Sequence, residues 1–370
     1  MSTPTVALTD EDVTAYFHAA AGPVDRGAGE VRDGLRWLGE RDLIAPDGAG
    51  LPHAVRLVEQ IAGECLSSAF SLWAHRMVIE YLSSVQPQPG GTAESGGTGE
   101  SGGARLLGEL RAGLAVGATA MAPALRDVAG LEPVPVLATR TAAGLTLTGP
   151  IRWASNLFDD AVVVLPVRLD GPNRAVVWIR LSDPGVRVDR RPELLALNGT
   201  ASSSARLDGV LVRPDAVLSE DLVGFVGRIR PAFLLIQSAF CAGLALRSAR
   251  EADRHTAGQP GAGPTAGQPA GPNAQLAHEV ADAVARAESV HRRLHAAAAD
   301  PGAVAKADLL RLRLDAAASA VAATRIEATV RGGAGYLAAS AVSRRLREAA
   351  FLPIQAPTEG QLRWELSRCG

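Results

Sequence analysis

The stretch that decides the fold is Gly149-Pro-Ile-Arg-Trp-Ala-Ser-Asn156, followed closely by the apolar run Ala161-Val-Val-Val-Leu-Pro-Val-Arg168. The run is short and rich in β-branched residues, so it predicts a buried strand. A flat indole at Trp153 can stack on a planar ring, and the hydroxyl of Ser155 can form a hydrogen bond to the edge of that ring. The alternative is that Trp153 is only a large core residue between two strands.

Length, charge and cysteine content limit the possible classes of protein. The chain has 370 residues, 47% of them hydrophobic, so two or three packed units are expected. Its net charge of −2 gives no basic surface for nucleic acid or an anionic membrane, so neither is expected as a partner. Its 3 cysteines are widely spaced and odd in number, which predicts neither a disulfide framework nor a metal site. No signal peptide or membrane span is evident, so we expect a cytoplasmic protein.

The periodicity of apolar residues changes twice along the chain. Spacings of three and four residues predict helices over residues 31–43 and 55–85. Short alternating or β-branched runs between about residues 114 and 218 predict a compact antiparallel barrel or sandwich. Helical spacing returns over residues 229–253, 274–299 and 303–330. We therefore expect an N-terminal helical domain (1–112), a central β domain (113–222) and a C-terminal helical domain (223–370).

Two tracts, residues 86–103 and 256–272, are rich in Gly, Pro and polar residues. They contain too few apolar side chains to be buried in a core. We expect both to be mobile surface segments that are dispensable for folding.

The sequence resembles the acyl-CoA dehydrogenase superfamily along most of its length. Residues 149–156 resemble its Gly-x-Lys-x-Trp-Ile-Thr/Ser-Asn segment, and Gly117-Ala-Thr-Ala-Met-Ala-Pro123 stands where the family has Ala-Met-Thr-Glu-Pro. Residues 197–208 resemble its Gly-x-Arg-x-Thr-x-Ser hairpin, and Arg331-Gly-Gly-Ala-Gly-Tyr336 resembles its Gly-Gly-x-Gly-Tyr motif. The resemblance implies helices, a β domain and helices in that order.

The resemblance also implies a flavin, normally FAD. Trp153 and Ser155 would lie against the isoalloxazine ring, with Met121, Asn156 and Thr358 as further contacts. Gly332, Gly333 and Gly335 would let the backbone approach the adenosine-pyrophosphate half of FAD, usually one bound in a neighbouring subunit. The alternative for these glycines is a helix stop without a ligand.

The catalytic base of the family is not retained in the preferred alignment. If Ile354, Thr358 and Arg363 keep the spacing of the motif Ile-x-Glu-Gly-Thr-x-x-x-x-Arg, the base position is Ala356, which cannot accept a proton. A slipped alignment makes Glu359 the base, although Glu359 also suits the first turn of a helix. The base position of the isovaleryl branch falls near Phe233, where no carboxylate stands.

Other positions also depart from the family. Ala122 replaces a threonine that contacts the flavin, and Thr329 replaces a glutamine, so fewer FAD contacts are expected. His75, on the predicted long N-terminal helix, could transfer protons, although a lone histidine on a helix is more often structural.

Three functions remain open from the sequence. The first is an FAD-dependent dehydrogenase that introduces an α,β double bond into an acyl thioester of CoA or a carrier protein, with an electron-transfer partner. The second is a monooxygenase of the same fold, using O2 and FAD, FMN or reduced flavin supplied by a flavin reductase. The third is a non-catalytic relative. A helix apolar around its girth (residues 309–330) also predicts a homodimer or homotetramer.

Overall fold

The computed structural model describes residues 9–85, 102–256 and 272–369. Most of the two glycine-rich tracts therefore lies outside the described residues, and the predictions of mobility remain predictions. Both tracts were drawn slightly too long, since Gly102 already begins a helix and Thr256 still belongs to one.

Helices begin the chain and a sheet follows. The first helices are α1 (Asp10–Asp25), α2 (Val31–Gly39), α3 (Gly50–Glu64), α4 (Leu66–Ser83) and α5 (Gly102–Arg111). The strands are β1 (Val116–Thr119), β2 (Leu137–Thr141), β3 (Gly144–Ala154), β4 (Ala161–Arg168), β5 (Arg174–Arg180), β6 (Val186–Val188), β7 (Ser203–Val212) and β8 (Val217–Ser219), with the short α6 (Ala122–Val128) after β1.

A second group of helices completes the chain. It consists of α7 (Leu222–Thr256), α8 (Ala277–Ala299), α9 (Lys306–Gly335), α10 (Ala341–Ala349) and α11 (Glu359–Leu366). The order of helices, mostly antiparallel sheet and helices confirms the predicted fold class.

The sequence pattern missed one break. The helix predicted over residues 55–85 is two helices, α3 and α4, because Cys65 between them has extended backbone angles (φ −146°, ψ 104°). The Ser68 hydroxyl donates to Cys65 Sγ (3.2 Å), which closes the first turn of α4. Periodicity alone does not show the break, since apolar residues continue on both sides of Cys65 and both helices are largely buried.

The sheet follows the order β6-β7-β3-β2-β4-β5-β8, and β1 pairs in parallel with β4. All of β4 from Ala161 to Val167 is buried, as the run of β-branched residues predicts. Helix α7 is long and apolar enough to span a membrane, but most of its apolar part is buried inside the protein, so it is a core helix. A Cβ at Gly243 of α7 would lie 2.0 Å from the Glu59 backbone oxygen, so only glycine allows α3 and α7 to pack this closely.

The reasoning that α9 needs a second subunit to cover it is corrected by the structure. Helices α7, α8, α10 and α11 pack against α9 within the same chain, and the buried residues of α9 include Leu309, Leu310, Leu312, Ala316, Ala317, Ala320 and Ala323. Only Val321 among its large apolar side chains in the described structure is exposed.

Candidate functional site

A cavity of about 550 Å³ lies between the sheet, α4, α7 and the segment that joins α10 to α11. We call it the apolar cavity, since its described lining contains only one charged side chain, that of Arg347. It brings together residues from distant parts of the sequence: Phe70, Trp73, Thr119, Met121, Trp153, Ser155, Ser202, Phe233, Phe351, Gln355 and Ala356, among others. Of the predicted flavin contacts, Met121, Trp153 and Ser155 line this cavity.

Trp153 lies near the end of β3, at an irregularity in the pairing with β7. The register shifts between Ile151 and Ala154, so Arg152 and Trp153 both point outward rather than alternating. A bulge of this kind re-aims side chains. Trp153 is 49% exposed and also lines a second cavity beside the sheet. The prediction that Trp153 is only a core residue therefore does not fit its position.

Trp153 has a free aromatic face. The ring pairs formed within the described residues, such as Trp73 with Phe233 (centroids 5.2 Å apart), do not include it. A half-exposed indole on an apolar cavity can stack on a planar aromatic ligand.

Ser155 belongs to a chain of hydroxyl groups. Its Oγ lies 2.6 Å from Ser202 Oγ, which lies 2.7 Å from Thr200 Oγ1, and Thr200 donates its proton to the Leu197 carbonyl (2.7 Å). Because a carbonyl cannot donate, the only proton of Thr200 is committed, so Ser202 must donate to Thr200 and Ser155 to Ser202. Ser155 therefore presents lone pairs, and not a proton, to the cavity.

The loop that carries these hydroxyls has unusual backbone geometry. Leu197 (φ 65°) and Ala201 (φ 48°) adopt left-handed conformations on either side of a short 3₁₀ helix, and Asn156 (φ 64°) does so after β3. Non-glycine residues rarely adopt such angles and concentrate at functional sites when they do. The Asn156 backbone N–H donates to the Thr200 carbonyl (2.8 Å), so the two left-handed segments fix each other.

Asn156 does not line the cavity, contrary to the expectation of a flavin contact. It is fully buried, accepts from the Ser71 hydroxyl (2.6 Å) and donates to the carbonyls of Ser71 (3.0 Å) and Gly117 (2.9 Å). These bonds tie the end of β3 to α4 and β1. Asn156 therefore fixes the backbone next to Ser155 on the side that faces away from the cavity.

The opposite wall is the segment between α10 and α11. Ala356 lines the cavity, and its carbonyl accepts from Gln237 Nε2 (2.9 Å) and Gln355 Nε2 (2.9 Å). The buried Arg313 holds Gln355 from the other side (3.0 Å to Oε1). This polar framework fixes the backbone at Ala356 while the side chain is a methyl group.

Glu359 and Thr358 lie beyond this wall. Thr358 is the N-cap of α11, and its hydroxyl accepts from the Gln361 N–H (3.3 Å). Glu359 lies in the first turn and pairs with Arg363 (2.7 Å), with 44% of its side chain exposed. Neither lines the cavity, and no described lining residue is Asp or Glu.

His75 is buried and its two ring nitrogens are both used. Nδ1 accepts from the Gly117 N–H (2.9 Å), so Nε2 carries the proton and donates to the Leu110 carbonyl (2.9 Å). Burial lowers the pKa of His75 from 6.5 to about 4, so the ring is neutral. Its contacts support the structural alternative.

The glycines of the Gly-Gly-x-Gly-Tyr motif line a separate cavity of about 540 Å³, the glycine cavity. Gly332 kinks α9 with φ 56° and ψ −143°, and a Cβ at Gly332 or Gly333 would meet no atom within 4 Å. Gly335 instead packs against α10, where a Cβ would lie 3.1 Å from Val342. Gly332 and Gly333 therefore leave the backbone accessible, whereas Gly335 serves helix packing.

Arg347 is the one residue that lines both the apolar and the glycine cavities within the described structure. It forms a two-point ion pair with Asp25 (2.6 and 2.9 Å), which raises the pKa of its guanidinium. No sequence pattern singled out Arg347, Thr119 or Ser202. The available signals were the arginine-rich stretch Arg344-Arg-Leu-Arg-Glu-Ala349 and the serine run Ser202-Ser-Ser204.

The chain matches known proteins in its three-dimensional structure but not in its sequence. No protein-family model matches the chain, and no curated protein matches its sequence. FkbI, described as a protein for biosynthesis of the methoxymalonyl extender unit of a polyketide immunosuppressant, has a TM-score of 0.79 at 20% identity, covering 97% of this chain and 98% of its own. Butyryl-CoA dehydrogenase from Megasphaera elsdenii has a TM-score of 0.81 at 15% identity, covering 100% and 99%.

A third match was solved as a complex with FAD. This protein, PigA, has a TM-score of 0.77 at 16% identity, and the match covers 100% of this chain and 98% of PigA. Matches over whole chains confirm at the level of fold the resemblance inferred from residues 117–123, 149–156 and 331–336. The chain has the fold of the acyl-CoA dehydrogenases.

Proposed function

We propose that this protein is a flavin-dependent oxidoreductase whose apolar cavity holds an isoalloxazine ring. Trp153 offers a free aromatic face, Ser155 a hydrogen-bonding edge and Met121 a buried apolar contact in the same cavity. The residues fit the group, because a planar ring with one polar edge matches an apolar cavity with one polar corner. FAD as the form of flavin is supported by the fold it shares with PigA.

The adenosine end of FAD would lie at Gly332 and Gly333, where the backbone has no Cβ in front of it. A homodimer or homotetramer is part of the proposal, because Tyr336 (88% exposed) and Leu337 (66% exposed) leave apolar surface beside these glycines. A scattering mass of one chain at micromolar concentration would contradict this part.

For the reaction, the observation that decides is the absence of Asp and Glu from the described cavity lining. Removal of a proton from the carbon next to a thioester needs a positioned base, and Ala356 cannot supply one. We therefore favour the monooxygenase, in which one oxygen atom of O2 enters the substrate and the other leaves as water. Flavin, when bound, would supply the two electrons that the reductase provides, and two protons would accompany them to form the water.

The chain's own residues suit this reaction. The largely apolar lining disfavours bound water, which would protect reactive oxygen chemistry from side reactions. Ser155 presents a lone pair, which would accept a hydrogen bond from the N–H that flavin carries only when reduced. Asn156 and the Ser202-Thr200 hydroxyls hold Ser155 in this orientation.

Dehydrogenation of an acyl thioester remains the second candidate, because butyryl-CoA dehydrogenase shares the fold over its whole length. The third possibility, a non-catalytic relative, is opposed by the retained Trp153 and Ser155 in an open cavity.

The deciding experiment begins with the visible spectrum of the purified protein after incubation with FAD and desalting. Flavin that stays bound is then tested in two ways: anaerobic addition of butyryl-, octanoyl- or isovaleryl-CoA, and aerobic turnover with a flavin reductase, NADH and a panel of small substrates. We expect no rapid bleaching by the acyl-CoAs and substrate-dependent oxygen use with the reductase. Rapid bleaching would establish the dehydrogenase, and failure to bind flavin in either its oxidised or its reductase-supplied reduced form would remove the proposal.

A further inference from the structure

Two histidines and one carboxylate meet on the side of the molecule formed by α3 and α8. His291 Nδ1 lies 3.0 Å from both carboxylate oxygens of Glu59, and His295 Nε2 lies 2.7 Å from Glu59 Oε2. One potential ligand atom from each residue lies within 4.8 Å of the other two. None of the three residues lines the apolar cavity or the glycine cavity.

The helix geometry explains why the two rings converge. His291 and His295 are four residues apart on α8, so they project from the same face one turn apart, and their ring centroids are 4.3 Å apart. Glu59 comes from another helix, α3, whose backbone at this residue is held against Gly243 of α7. The three ligands are therefore presented by rigid elements, which is what a preorganised metal site needs.

The charge balance also points to a cation. The Glu59 side chain is only 10% exposed, and within the described residues its ion-pair partners are these two imidazoles alone. The imidazole nitrogens can act as metal ligands through their lone pairs, and a buried carboxylate is stabilised by a cation in contact with it. A divalent ion among the three would supply the charge and use all three groups as ligands.

We infer that Glu59, His291 and His295 form a binding site for a first-row divalent metal ion, with zinc as the best match. Two histidines and one glutamate are a known zinc ligand set that leaves a fourth position for water. The side chains of His291 (42% exposed) and His295 (27% exposed) leave an entry path from solvent. Zinc bonds of about 2.0–2.1 Å place neighbouring ligand atoms about 3.3 Å apart, so the contacts of Glu59 with the two imidazoles, now 2.7 and 3.0 Å, need to open by about 0.3–0.6 Å.

A zinc ion here would join α3 of the first helical group to α8 of the second. It lies outside both cavities, so the inference does not depend on the proposed flavin chemistry. The expected role is structural, or regulatory through the open fourth position.

The protein offers matched controls. His18 pairs with Glu64 (2.8 Å) but belongs to no cluster of potential metal ligands among the described residues. His278 lies on α8, like the two proposed ligands, but is largely exposed. His18→Gln and His278→Gln remove a histidine from the same protein without touching the proposed site. His291→Gln and His295→Gln remove one ligand each, and both are accessible enough to leave the fold intact.

The test uses full-length protein dialysed against a chelator and titrated with zinc chloride by calorimetry, followed by cobalt(II) as a spectroscopic probe. We expect one zinc per chain, a visible cobalt spectrum with histidine ligands, and a melting temperature that rises with zinc. Each of His291→Gln, His295→Gln and Glu59→Gln should weaken zinc binding at least about tenfold, whereas His18→Gln and His278→Gln should not. No zinc binding in the wild type, or equal binding in the His291→Gln and His295→Gln variants, would overturn the site and leave an ion-paired Glu59.

Discussion

The two walls of the apolar cavity differ in the chemical groups that they present to a ligand. The wall from the sheet presents a free indole at Trp153 and an oriented hydroxyl at Ser155, supported by Asn156 from behind. The wall between α10 and α11 presents a methyl group at Ala356 on a backbone fixed by Gln237 and Gln355. The sheet wall, which would hold a flavin, has an aromatic ring and an oriented hydroxyl group. The opposite wall, where the family's base would stand, has no carboxylate side chain among its described lining residues. This contrast supports the proposal of flavin chemistry without α-proton removal.

The largest expected effect comes from restoring the missing base. Ala356→Glu should raise the rate of acyl-CoA dehydrogenation by about 10²-fold or more, since a positioned general base contributes about 10² to 10⁴. Anaerobic bleaching of bound flavin by octanoyl-CoA, followed by stopped flow, measures it.

Glu359→Gln is the matched control for this change, because Glu359 lies outside the cavity and pairs with Arg363. It should alter neither flavin binding nor turnover. Rapid acyl-CoA oxidation by the wild type that disappears in Glu359→Gln would show that the slipped alignment is right and that the contrast between the two walls is wrong.

The second prediction concerns His75, which secures the sheet side by joining α4 to β1 and the end of α5. Its pKa is about 4 in the folded state and 6.5 when unfolded, so between these values the unfolded chain binds the extra proton and stability falls as the pH falls. The contribution to the loss between pH 7 and pH 5 is about 2 kcal/mol.

Urea unfolding of wild type and His75→Gln at both pH values isolates this contribution. Burial raises the pKa of Glu348 to about 6, which acts in the opposite direction, but it does so in both proteins and cancels. The variant should be less stable at pH 7 and lose less stability on acidification than the wild type. Equal losses in both proteins would show that His75 is not held neutral.

The third prediction tests the aromatic face. Trp153→Ala should weaken flavin binding about fivefold to tenfold, because stacking contributes about 0.5–1.5 kcal/mol beyond buried area. Trp364→Ala is the control, since Trp364 lies on α11 beneath Arg368 and away from the cavity. Fluorescence titration with FAD gives both affinities. Wild-type affinity in Trp153→Ala would place the ring elsewhere.

Sequence analysis predicted the fold better than the site, and the reason is physical. The order of helices and strands follows from periodicity, and Trp153, Ser155 and Met121 follow from two local motifs, residues 149–156 and 117–123. The roles of Asn156 and His75 depend on partners 85 and 42 residues away, namely Ser71 and Gly117, which no local pattern reveals.

The cluster of Glu59, His291 and His295 was not predicted either, because it also depends on contacts between residues far apart in the sequence. A count of cysteines found no metal pattern, and the His291-x-x-x-His295 spacing is informative only once Glu59, 232 residues from His291, lies beside it. Long-range packing therefore creates chemistry that composition and spacing do not show.

The smallest predicted effect tests the direction of the hydroxyl chain on the sheet side. In the wild type, Thr200 donates to the Leu197 carbonyl, so Ser155 can accept a hydrogen bond from a group in the cavity and would favour reduced flavin under the proposed function. Thr200→Val removes the acceptor of Ser202, so Ser202 can donate to Ser155 and Ser155 to the oxidised ring. One neutral hydrogen bond is about 1 kcal/mol, which for a two-electron couple lowers the midpoint potential of bound flavin by about 20 mV. Spectroelectrochemistry of both proteins measures it, with Ser203→Ala as the control because Ser203 donates to Asp189 and not to this chain. A potential that does not change, or that rises, in Thr200→Val would show that the hydroxyl chain does not orient Ser155, and the preference for reduced flavin would lose its structural basis.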